Sequence, residues 1–280
     1  MPAELEITSP ANPRVKQLVA LRRRRARDES GVTLVEGRAE IELALAAGVR
    51  PRALYCCPAL TGPQSSDLPE RARDRGADIV RLSRAVFEKA SYREGPDGWL
   101  AVVPAVDTDL AHLDPGPRPL ILACAGLEKP GNLGAILRTA DAAGVAAVIA
   151  ADPVTDWGNP NVVRASKGTV FSVPVASAPS AEVLDWIAAR SMTLVAAAPD
   201  GDVPLTGADL SGPTAIVVGS EAHGLPPAWL ERADVRVRIP MFGRADSLNV
   251  SISAAIIVYE AVRQRLTDPA AASRSGPGQR

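Results

Sequence analysis

Short apolar runs alternate with amphipathic stretches throughout the second half of this 280-residue chain. Each run is continuous, which is typical of parallel strands whose sheet is covered on both faces. The stretches between the runs have helical spacing, as crossover helices between parallel strands require. The predicted strands are residues 120–125, 147–151, 170–175, 193–198, 215–218 and 235–239, and the main helices are residues 133–143, 181–189 and 250–266. The predicted fold class is therefore α/β with a parallel sheet.

Proline and glycine residues cluster at residues 104–118 and indicate a boundary in the chain. We predict a small α/β domain over residues 1–104, a linker over residues 105–118 and a second domain over residues 119–266. Strand and helix signals alternate in the first domain as they do in the second. The composition of residues 267–280 is typical of a disordered tail.

The composition excludes several classes of protein. No apolar run reaches the roughly 18 residues that a membrane span needs, and the N-terminus lacks a signal-peptide pattern. The three cysteines, Cys56, Cys57 and Cys124, form neither an even set nor a CxxC pair. This argues against a disulfide framework and a zinc site. We therefore expect a cytoplasmic protein with reduced thiols and no bound metal.

A basic cluster lies near the N-terminus, although the net charge of the whole chain is only −1. Seven basic residues and no acidic ones occur from Arg14 to Arg27. We predict that they bind the phosphates of structured RNA, with an affinity that falls as salt rises. The alternative is a solvated helix face without a ligand. The seven residues are Arg14, Lys16, Arg22, Arg23, Arg24, Arg25 and Arg27.

The segment from Glu128 to Ala140 directly follows a predicted strand and reads EKPGNLGAILRTA. Asn132 occupies the expected N-cap of the next helix, and a helix N-terminus beside glycines favours an anion. Arg138 follows six residues later and could reach the same end of the sheet. An ordinary capped helix with a surface arginine would have the same pattern, so this segment alone is a weak functional signal.

Two further loops follow predicted strands, at the sheet edge where open parallel sheets bind ligands. The first is residues 216–226, IVVGSEAHGLP, in which Glu221 could hold a substrate group or cap a helix. His223 lies in the same loop, but a lone loop histidine is more often a bystander, and we give it no role. The second loop, IPMFGRADSLNVSIS, places Ser247 and Asn249 before a very apolar helix that either residue could cap.

Together these three segments resemble the SpoU (TrmH-like) branch of the SPOUT RNA methyltransferases. The family motif Asn-x-Gly-x-x-x-Arg-Thr matches residues 132–139, and Gly-x-Glu…Gly matches residues 219–224. The motif Ile-Pro-Met…Ser-Leu-Asn-Val-Ser matches residues 239–251. The resemblance covers residues 119–266. The first domain, with its basic start and a Val-Glu-Gly at residues 35–37, is similar to the ribosomal-protein-like substrate-binding domain that often precedes this catalytic domain.

The resemblance implies a fold, a reaction and a cofactor. The implied fold is a parallel sheet with a C-terminal trefoil knot, which no pattern in the sequence predicts by itself. The implied reaction transfers a methyl group from S-adenosyl-L-methionine to a ribose 2′-hydroxyl of RNA, and the N-terminal domain favours 23S ribosomal RNA as the substrate. The resemblance also implies a homodimer that completes the active site across its interface, with the helix at residues 250–266 as a buried dimer element.

The resemblance further implies roles for single residues. Gly219, Ile239 and Leu248 are expected to line the adenosine pocket, with Met241 nearby. Arg138 is expected to bind the adjacent phosphate and to stabilise the developing alkoxide, because a guanidinium is a permanent donor and a poor base. The residues expected to hold the ribose are Asn132, Glu221, Ser247 and Asn249.

Three alternatives remain open from the sequence. The same reaction could act on transfer RNA. An RNA-binding homologue could have lost its activity, although the intact polar positions argue against this. A nucleotide-binding enzyme of the doubly wound class would carry a glycine fingerprint and a downstream acidic residue, and we find no convincing pair.

Overall fold

The computed structural model describes residues 5–62 and 67–267, so the tail predicted at residues 267–280 lies outside the described residues except for Thr267. The chain forms two compact units, which are described here separately. The N-terminal unit consists of Met1–Val106 together with Asp156–Ser172. The C-terminal unit consists of Asp107–Thr155 and Val173–Arg280.

The N-terminal unit is built on a five-stranded mixed sheet. Its strands are β1 (Leu5–Ile7), β2 (Val32–Glu36), β3 (Ala53–Cys56), β4 (Asp78–Leu82) and β5 (Trp99–Pro104). The spatial order is β1-β4-β3-β5-β2. The first three strands in this order are parallel, whereas β5 runs antiparallel to both of its neighbours.

Among the described residues of the first hundred, six helices accompany this sheet. They are α1 (Pro13–Ala20), α2 (Arg24–Ser30), α3 (Arg38–Ala46), α4 (Pro58–Thr61), α5 (Leu68–Asp74) and α6 (Arg84–Ala90). Asn12 caps α1 by accepting the backbone N–H of Arg14. Leu18, Leu34 and Phe87 are buried in one apolar cluster, so helices and sheet share a core.

The C-terminal unit contains a seven-stranded sheet in which every neighbouring pair is parallel. Its strands are β6 (Leu120–Ala125), β7 (Ala147–Ala151), β8 (Val175–Ala178), β9 (Thr193–Ala197), β10 (Val203–Pro204), β11 (Thr214–Val218) and β12 (Val235–Arg238). The order is β10-β12-β9-β11-β6-β7-β8. All residues of β6, β7 and β11 are buried, as the continuous apolar runs predict. The predicted α/β fold with a parallel sheet is confirmed.

The remaining helices are α7 (Pro130–Ala143), α8 (Pro160–Ala165), α9 (Ser180–Ala189), α10 (Pro227–Arg232) and α11 (Val250–Thr267). All except α8 belong to the C-terminal unit. Helices α7 and α11 pack against each other. The buried face of α11 carries Ala254, Ile257, Val258 and Ala261.

Residues 156–172 return to the N-terminal unit, a crossing that the predicted domains did not include. Helix α8 lies against β2, and Thr33 Oγ1 donates a hydrogen bond to the carbonyl of Gly158 over 2.5 Å. A 3₁₀ turn at Thr169–Phe171 packs against α3. The strand predicted at residues 170–175 is therefore wrong, because this turn precedes β8. Nothing in the local composition of this segment distinguishes it from the residues around it.

Three loops meet at one edge of the C-terminal sheet. Strands β6 and β11 are neighbours, and β9 separates β11 from β12. Because these strands are parallel, the loops that follow β6, β11 and β12 leave from the same edge. The three segments that carry the sequence motifs are these loops.

Candidate active site

The loop after β11 is a tight turn that presents Glu221. The backbone N–H of Ser220 donates to the carbonyl of Gly224 over 3.1 Å, and the N–H of Gly224 returns a bond of 2.9 Å to Ser220. A Cβ on Gly219 would contact the backbone of Gly224 and lie 2.5 Å from the nitrogen of Leu225. Gly219 is therefore required by the close approach of the two arms of the loop.

Glu221 is the centre of a hydrogen-bond network. Its Oε1 accepts from Nδ2 of Asn132 over 2.7 Å and from Nδ2 of Asn249 over 2.8 Å. Its Oε2 accepts from the ammonium group of Lys129. The hydrogen bonds from Lys129 and Asn132 lower the pKa of Glu221. The carboxylate is thus ionised at neutral pH and acts as an acceptor for three donors from two other segments.

Asn249 has two functions. Its Oδ1 accepts the backbone N–H of Ser251 over 3.0 Å and the hydroxyl of the same residue, so it caps α11. Its Nδ2 donates to Glu221 and also approaches Oδ1 of Asn132 at 3.2 Å. The sequence predicted either Ser247 or Asn249 as the cap of this helix, and the structure shows that Asn249 is the cap. Its Nδ2 group is not used in capping and donates to Glu221.

The structure corrects the position of Asn132 in its helix. The helix N-cap is Lys129, and Pro130 occupies the first turn, so Asn132 is the third residue of α7. The prediction that Asn132 is the N-cap is wrong, because proline is favoured at the first helical position and starts the helix earlier. The side chain of Asn132 is consequently directed to Glu221 instead of to its own backbone.

A cleft of about 220 Å³ lies beside this network. It is formed by the ends of β9, β11 and β12 and by the start of α11. All four residues predicted to bind the cofactor line it, namely Gly219, Ile239, Met241 and Leu248. Glu221, Asp246 and Ser247 line it as well. The cleft therefore joins apolar walls to a polar rim.

Arg138 and Ser247 are not part of the Glu221 network. Arg138 is exposed on α7, and within residues 5–62 and 67–267 it has no hydrogen-bond or ion-pair partner. Ser247 lines the cleft, but its hydroxyl also has no partner in those ranges. Of the five residues predicted for substrate binding and catalysis, the structure brings together Asn132, Glu221 and Asn249.

Sequence reasoning did not select Lys129, although it contacts Glu221. Its side chain is 71% exposed, so the ion pair is screened by solvent. Lys129 could have been selected from its position before Pro130. A residue at the start of the helix that follows β6 must lie at the same sheet edge as the other motifs.

Arg27 does not contribute to an RNA-binding surface. Only 4% of its surface is exposed, and its Nη2 lies 2.6 Å from Oδ2 of Asp156. Its Nη1 donates to the carbonyl oxygens of Leu21 and Arg22, each over 3.0 Å. The prediction that Arg27 binds RNA is wrong, because a buried guanidinium must be paired within the protein and this one is.

The other six basic residues of the cluster differ in their surroundings. Arg22 is half-buried and donates to the carbonyl oxygens of Lys89 and Ser91. Arg14 is half-buried and lies 3.5 Å from Asp78. The exposed members are Lys16, Arg23, Arg24 and Arg25, and the last two pair with Asp28 and Glu29 on α2. The surface predicted to bind RNA therefore has a smaller net positive charge than the sequence indicated, because acidic residues pair with Arg24 and Arg25.

No helix within residues 5–62 and 67–267 is long and apolar enough to cross a membrane. In the same part of the chain, no group of three or more His, Cys, Asp or Glu side chains could hold a metal ion.

Burial raises the pKa of Cys124 to about 12, so its thiol stays protonated at neutral pH.

Comparison with known proteins identifies both parts of the chain. Residues 119–259 match the SpoU rRNA Methylase family, and residues 12–101 match the MRM3-like substrate binding domain. The chain is 35% identical over 278 residues to a 23S rRNA (uridine(2479)-2′-O)-methyltransferase from Streptomyces viridochromogenes, covering 95% of this chain and 94% of the relative.

Two solved structures have the same architecture. An RNA 2′-O ribose methyltransferase is 45% identical with a TM-score of 0.81, covering 94% of this chain and 100% of the other. An AdoMet-bound rRNA methyltransferase from Sinorhizobium meliloti is 32% identical with a TM-score of 0.85, covering 92% of this chain and 97% of the other. Family match, relatives and fold agree with the three motif loops at the sheet edge. This chain belongs to the SpoU rRNA methylase family.

Proposed function

We propose that this protein transfers a methyl group from S-adenosyl-L-methionine to a ribose 2′-hydroxyl of 23S ribosomal RNA. The observation that carries the proposal is the convergence of Asn132, Glu221 and Asn249 beside the cleft at the carboxyl ends of β11 and β12. The Streptomyces relative is named for this reaction on 23S rRNA, and the Sinorhizobium structure contains AdoMet. These relatives favour ribosomal RNA over transfer RNA and an enzyme over an inactive homologue.

The chemistry of the cleft fits S-adenosylmethionine. Ile239 and Leu248 supply apolar walls that suit an adenine ring, and Asp246 supplies a carboxylate that suits the positive charge of a sulfonium or an ammonium. We propose that Gly219, Ile239 and Leu248 hold the adenosine, with Met241 beside them. When bound, this cofactor supplies an electrophilic methyl group.

In this proposal Glu221 positions the side chains of Asn132 and Asn249. A carboxylate with a lowered pKa is a weak base, so we do not assign proton removal to it. It orients the amides of Asn132 and Asn249, which would hydrogen-bond the ribose hydroxyls, and the hydroxyl of Ser247 would add a contact from the cleft. Alignment of the nucleophile can contribute roughly 7–11 kcal/mol to catalysis.

Arg138 has a separate role in the proposal: it binds the phosphate next to the target ribose and stabilises the developing alkoxide. It follows Asn132 by six residues, which separates the two by about 240° around the helix and about 9 Å along it. This separation agrees with the absence of Arg138 from the Glu221 network in the described chain. We propose that a second copy completes the active site and that Arg138 acts at that interface.

The homodimer is supported by an exposed apolar stripe on α11. Ile252, Ile256 and Tyr259 are 51%, 39% and 49% exposed and follow helical spacing on the side opposite the buried face. Exposed apolar surface of this kind is typical of subunit interfaces. An Ile256→Lys variant that remained dimeric in light scattering would contradict this interface.

We also propose the trefoil knot and a cytoplasmic location. The knot is supported by the loops after β11 and β12, which line one cleft together with α11. A knot predicts slow refolding, which can be measured after dilution from denaturant.

The cytoplasmic location follows from the proposed ribosomal substrate and can be tested by cell fractionation.

Two measurements test the proposed reaction. S-adenosylmethionine should raise the melting temperature as ligand linkage requires, whereas adenosine triphosphate serves as the control ligand. The purified protein should then incorporate labelled methyl groups into 23S rRNA from a deletion strain, and mass spectrometry should map one 2′-O-methyl nucleotide. A protein that does not bind the cofactor would contradict the proposal. Methylation of transfer RNA alone would contradict only its substrate.

A further inference from the structure

We propose that Lys129 is a positioning residue of the candidate active site, and that it occupies the start of α7 for its contact with Glu221. The ammonium group of Lys129 donates to Oε2 of Glu221, while Oε1 accepts the amides of Asn132 and Asn249. Lys129 therefore acts on the reaction through Glu221. The proposal rests on the proposed function in one respect, because that function gives Glu221 the task of orienting the two amides.

Lys129 is an unfavourable residue for the N-cap of α7. Its backbone has the extended conformation of an N-cap, but its side chain makes no capping hydrogen bond. Serine, threonine, asparagine and aspartate are preferred at this position, because an oxygen atom of the side chain accepts a free backbone N–H of the first turn. An ammonium group has donors only, so a lysine side chain cannot accept that bond. The helix therefore gains no cap from this side chain.

The charge of Lys129 is also unfavourable at this end of the helix. The N-terminus of a helix is the positive end of its dipole, which favours acidic side chains and disfavours cations. The first turn of α7 contains no acidic residue that could offset the charge of the lysine. The cation is paired instead with Glu221, from the loop after β11. Residues that break a local preference are expected at functional sites, and the contact with Glu221 explains this one.

The contact with Lys129 holds the carboxylate of Glu221 in one orientation. The last torsion of a glutamate side chain has a broad energy minimum, so donors on one oxygen do not fix the plane of the carboxylate. Here Oε1 accepts from Asn132 over 2.7 Å and from Asn249 over 2.8 Å, and the ammonium group of Lys129 occupies Oε2. Without Lys129, Oε2 would lose this donor, and the carboxylate would hold the two amides less firmly.

The same contact favours the ionised form of Glu221, which can accept all three donors. The hydrogen bond from Lys129 is the largest cause of the lowered pKa of Glu221, followed by the hydrogen bond from Asn132, and the positive charge of Lys129 acts in the same direction. The other titratable groups beside Glu221 are Asp246, which lines the same cleft, and His223 in the same loop. A protonated carboxyl group becomes a donor at one oxygen. Glu221 should therefore orient the amides above its pKa and lose this function as the pH falls below it.

Lys129→Ser in the full-length protein separates the helix from the active site. Serine is a preferred N-cap, so this variant should have a melting temperature no lower than that of the wild type. Its turnover number on 23S rRNA should fall by a factor of about 2–5, the range expected for an exposed ion pair, with KM for RNA unchanged. Lys129→Arg keeps a cationic donor and should retain most of the turnover. Lys89→Ser, the same change at an exposed lysine of α6, should leave turnover unchanged.

Carbon-13 NMR of labelled glutamate carboxyl groups measures the pKa of Glu221 without a methylation assay, and Glu221→Gln identifies its signal. In the wild-type protein this pKa should lie below the ordinary value of 4.5. It should rise in Lys129→Ser but not in Lys89→Ser. Because the ionised form exists only above this pKa, the acid limb of the turnover profile should move to higher pH in Lys129→Ser. A residue that only stabilised the helix would not move this limb.

Three results would overturn the proposal. An unchanged pKa of Glu221 in Lys129→Ser would mean that the two side chains do not interact in solution. A lower melting temperature of this variant would mean that the lysine serves the helix. A higher KM for RNA and a salt slope reduced by about 1, with an unchanged turnover number, would place Lys129 on an RNA phosphate. If the wild-type protein does not methylate RNA but the NMR titrations give the expected result, only the proposed function is contradicted.

Discussion

Asn249 donates a hydrogen bond from Nδ2 to Oε1 of Glu221 over 2.8 Å, while its Oδ1 caps the helix that begins at Val250. The same side chain therefore contributes to the stability of α11 and to the geometry of the candidate active site. Serine is as good an N-cap as asparagine but is too short to reach Glu221. The two contributions can thus be separated by substitution.

We predict that Asn249→Ser retains the free energy of unfolding but loses most of the methyl transfer rate, whereas Asn249→Ala loses both. The alanine variant should be destabilised by about 1 kcal/mol because the cap is removed. Denaturant unfolding and single-turnover methylation measure the two effects. Normal turnover by Asn249→Ser would show that the Glu221 contact is not needed.

Glu221→Gln should lower the turnover number by a factor on the order of 100, the usual effect of removing one preorganised polar group from an active site. The glutamine has the same shape, but its amide cannot accept from Asn132, Asn249 and Lys129 together. Glu231→Gln, on the exposed face of α10, is the control. Equal turnover in both variants would remove Glu221 from the mechanism.

Gly219→Ala should weaken binding of S-adenosylmethionine at least 10-fold. The added Cβ would lie 2.5 Å from the nitrogen of Leu225, so the loop that lines the cleft must move. Gly131→Ala is a matched control in α7, because its Cβ would meet no atom within 4 Å. Calorimetric titration of both variants measures the difference. Similar affinities would mean that the loop can move without affecting the cleft.

Arg27→Met should lower the free energy of unfolding by about 3–5 kcal/mol, because it leaves the carboxylate of Asp156 without its partner. Arg25→Gln breaks an exposed pair with Glu29 and should change stability by less than about 0.5 kcal/mol. Adding Asp156→Asn to Arg27→Met should recover part of the loss, which a double-mutant cycle detects. Equal stability of the two single variants would contradict the burial of this pair.

Stability should also depend on Glu260 in acid. Hydrogen bonds from Arg263 and Gln264 lower the pKa of Glu260 to about 2 from an ordinary value of 4.5. A folded-state pKa below the unfolded value stabilises the protein above pH 4.5, and this contribution is lost as pH falls toward 2. Glu260→Gln should therefore be less stable than the wild type at pH 7, and the difference should shrink as the pH is lowered. A difference that is constant with pH would contradict the shift.

The parallel sheet and the meeting of the three loops could be predicted because both follow from local signals. Continuous apolar runs indicate buried parallel strands, and the geometry of such a sheet gathers the loops at one edge. The helix start at Pro130 was also a local signal, but the stronger cap preference of Asn132 concealed it. The pairing of Arg27 with Asp156 joins residues 129 positions apart, and no spacing rule connects them.

The return of residues 156–172 to the N-terminal unit has a consequence for synthesis on the ribosome. Domains usually fold in order as the chain emerges. Here the first unit lacks α8 and the carboxylate for Arg27 until residue 172 of 280 has been made. A gene fragment that stops at residue 118 would encode a unit missing part of its own interior. Fragments intended to isolate the N-terminal unit should therefore include residues 156–172, for example through a short designed connection.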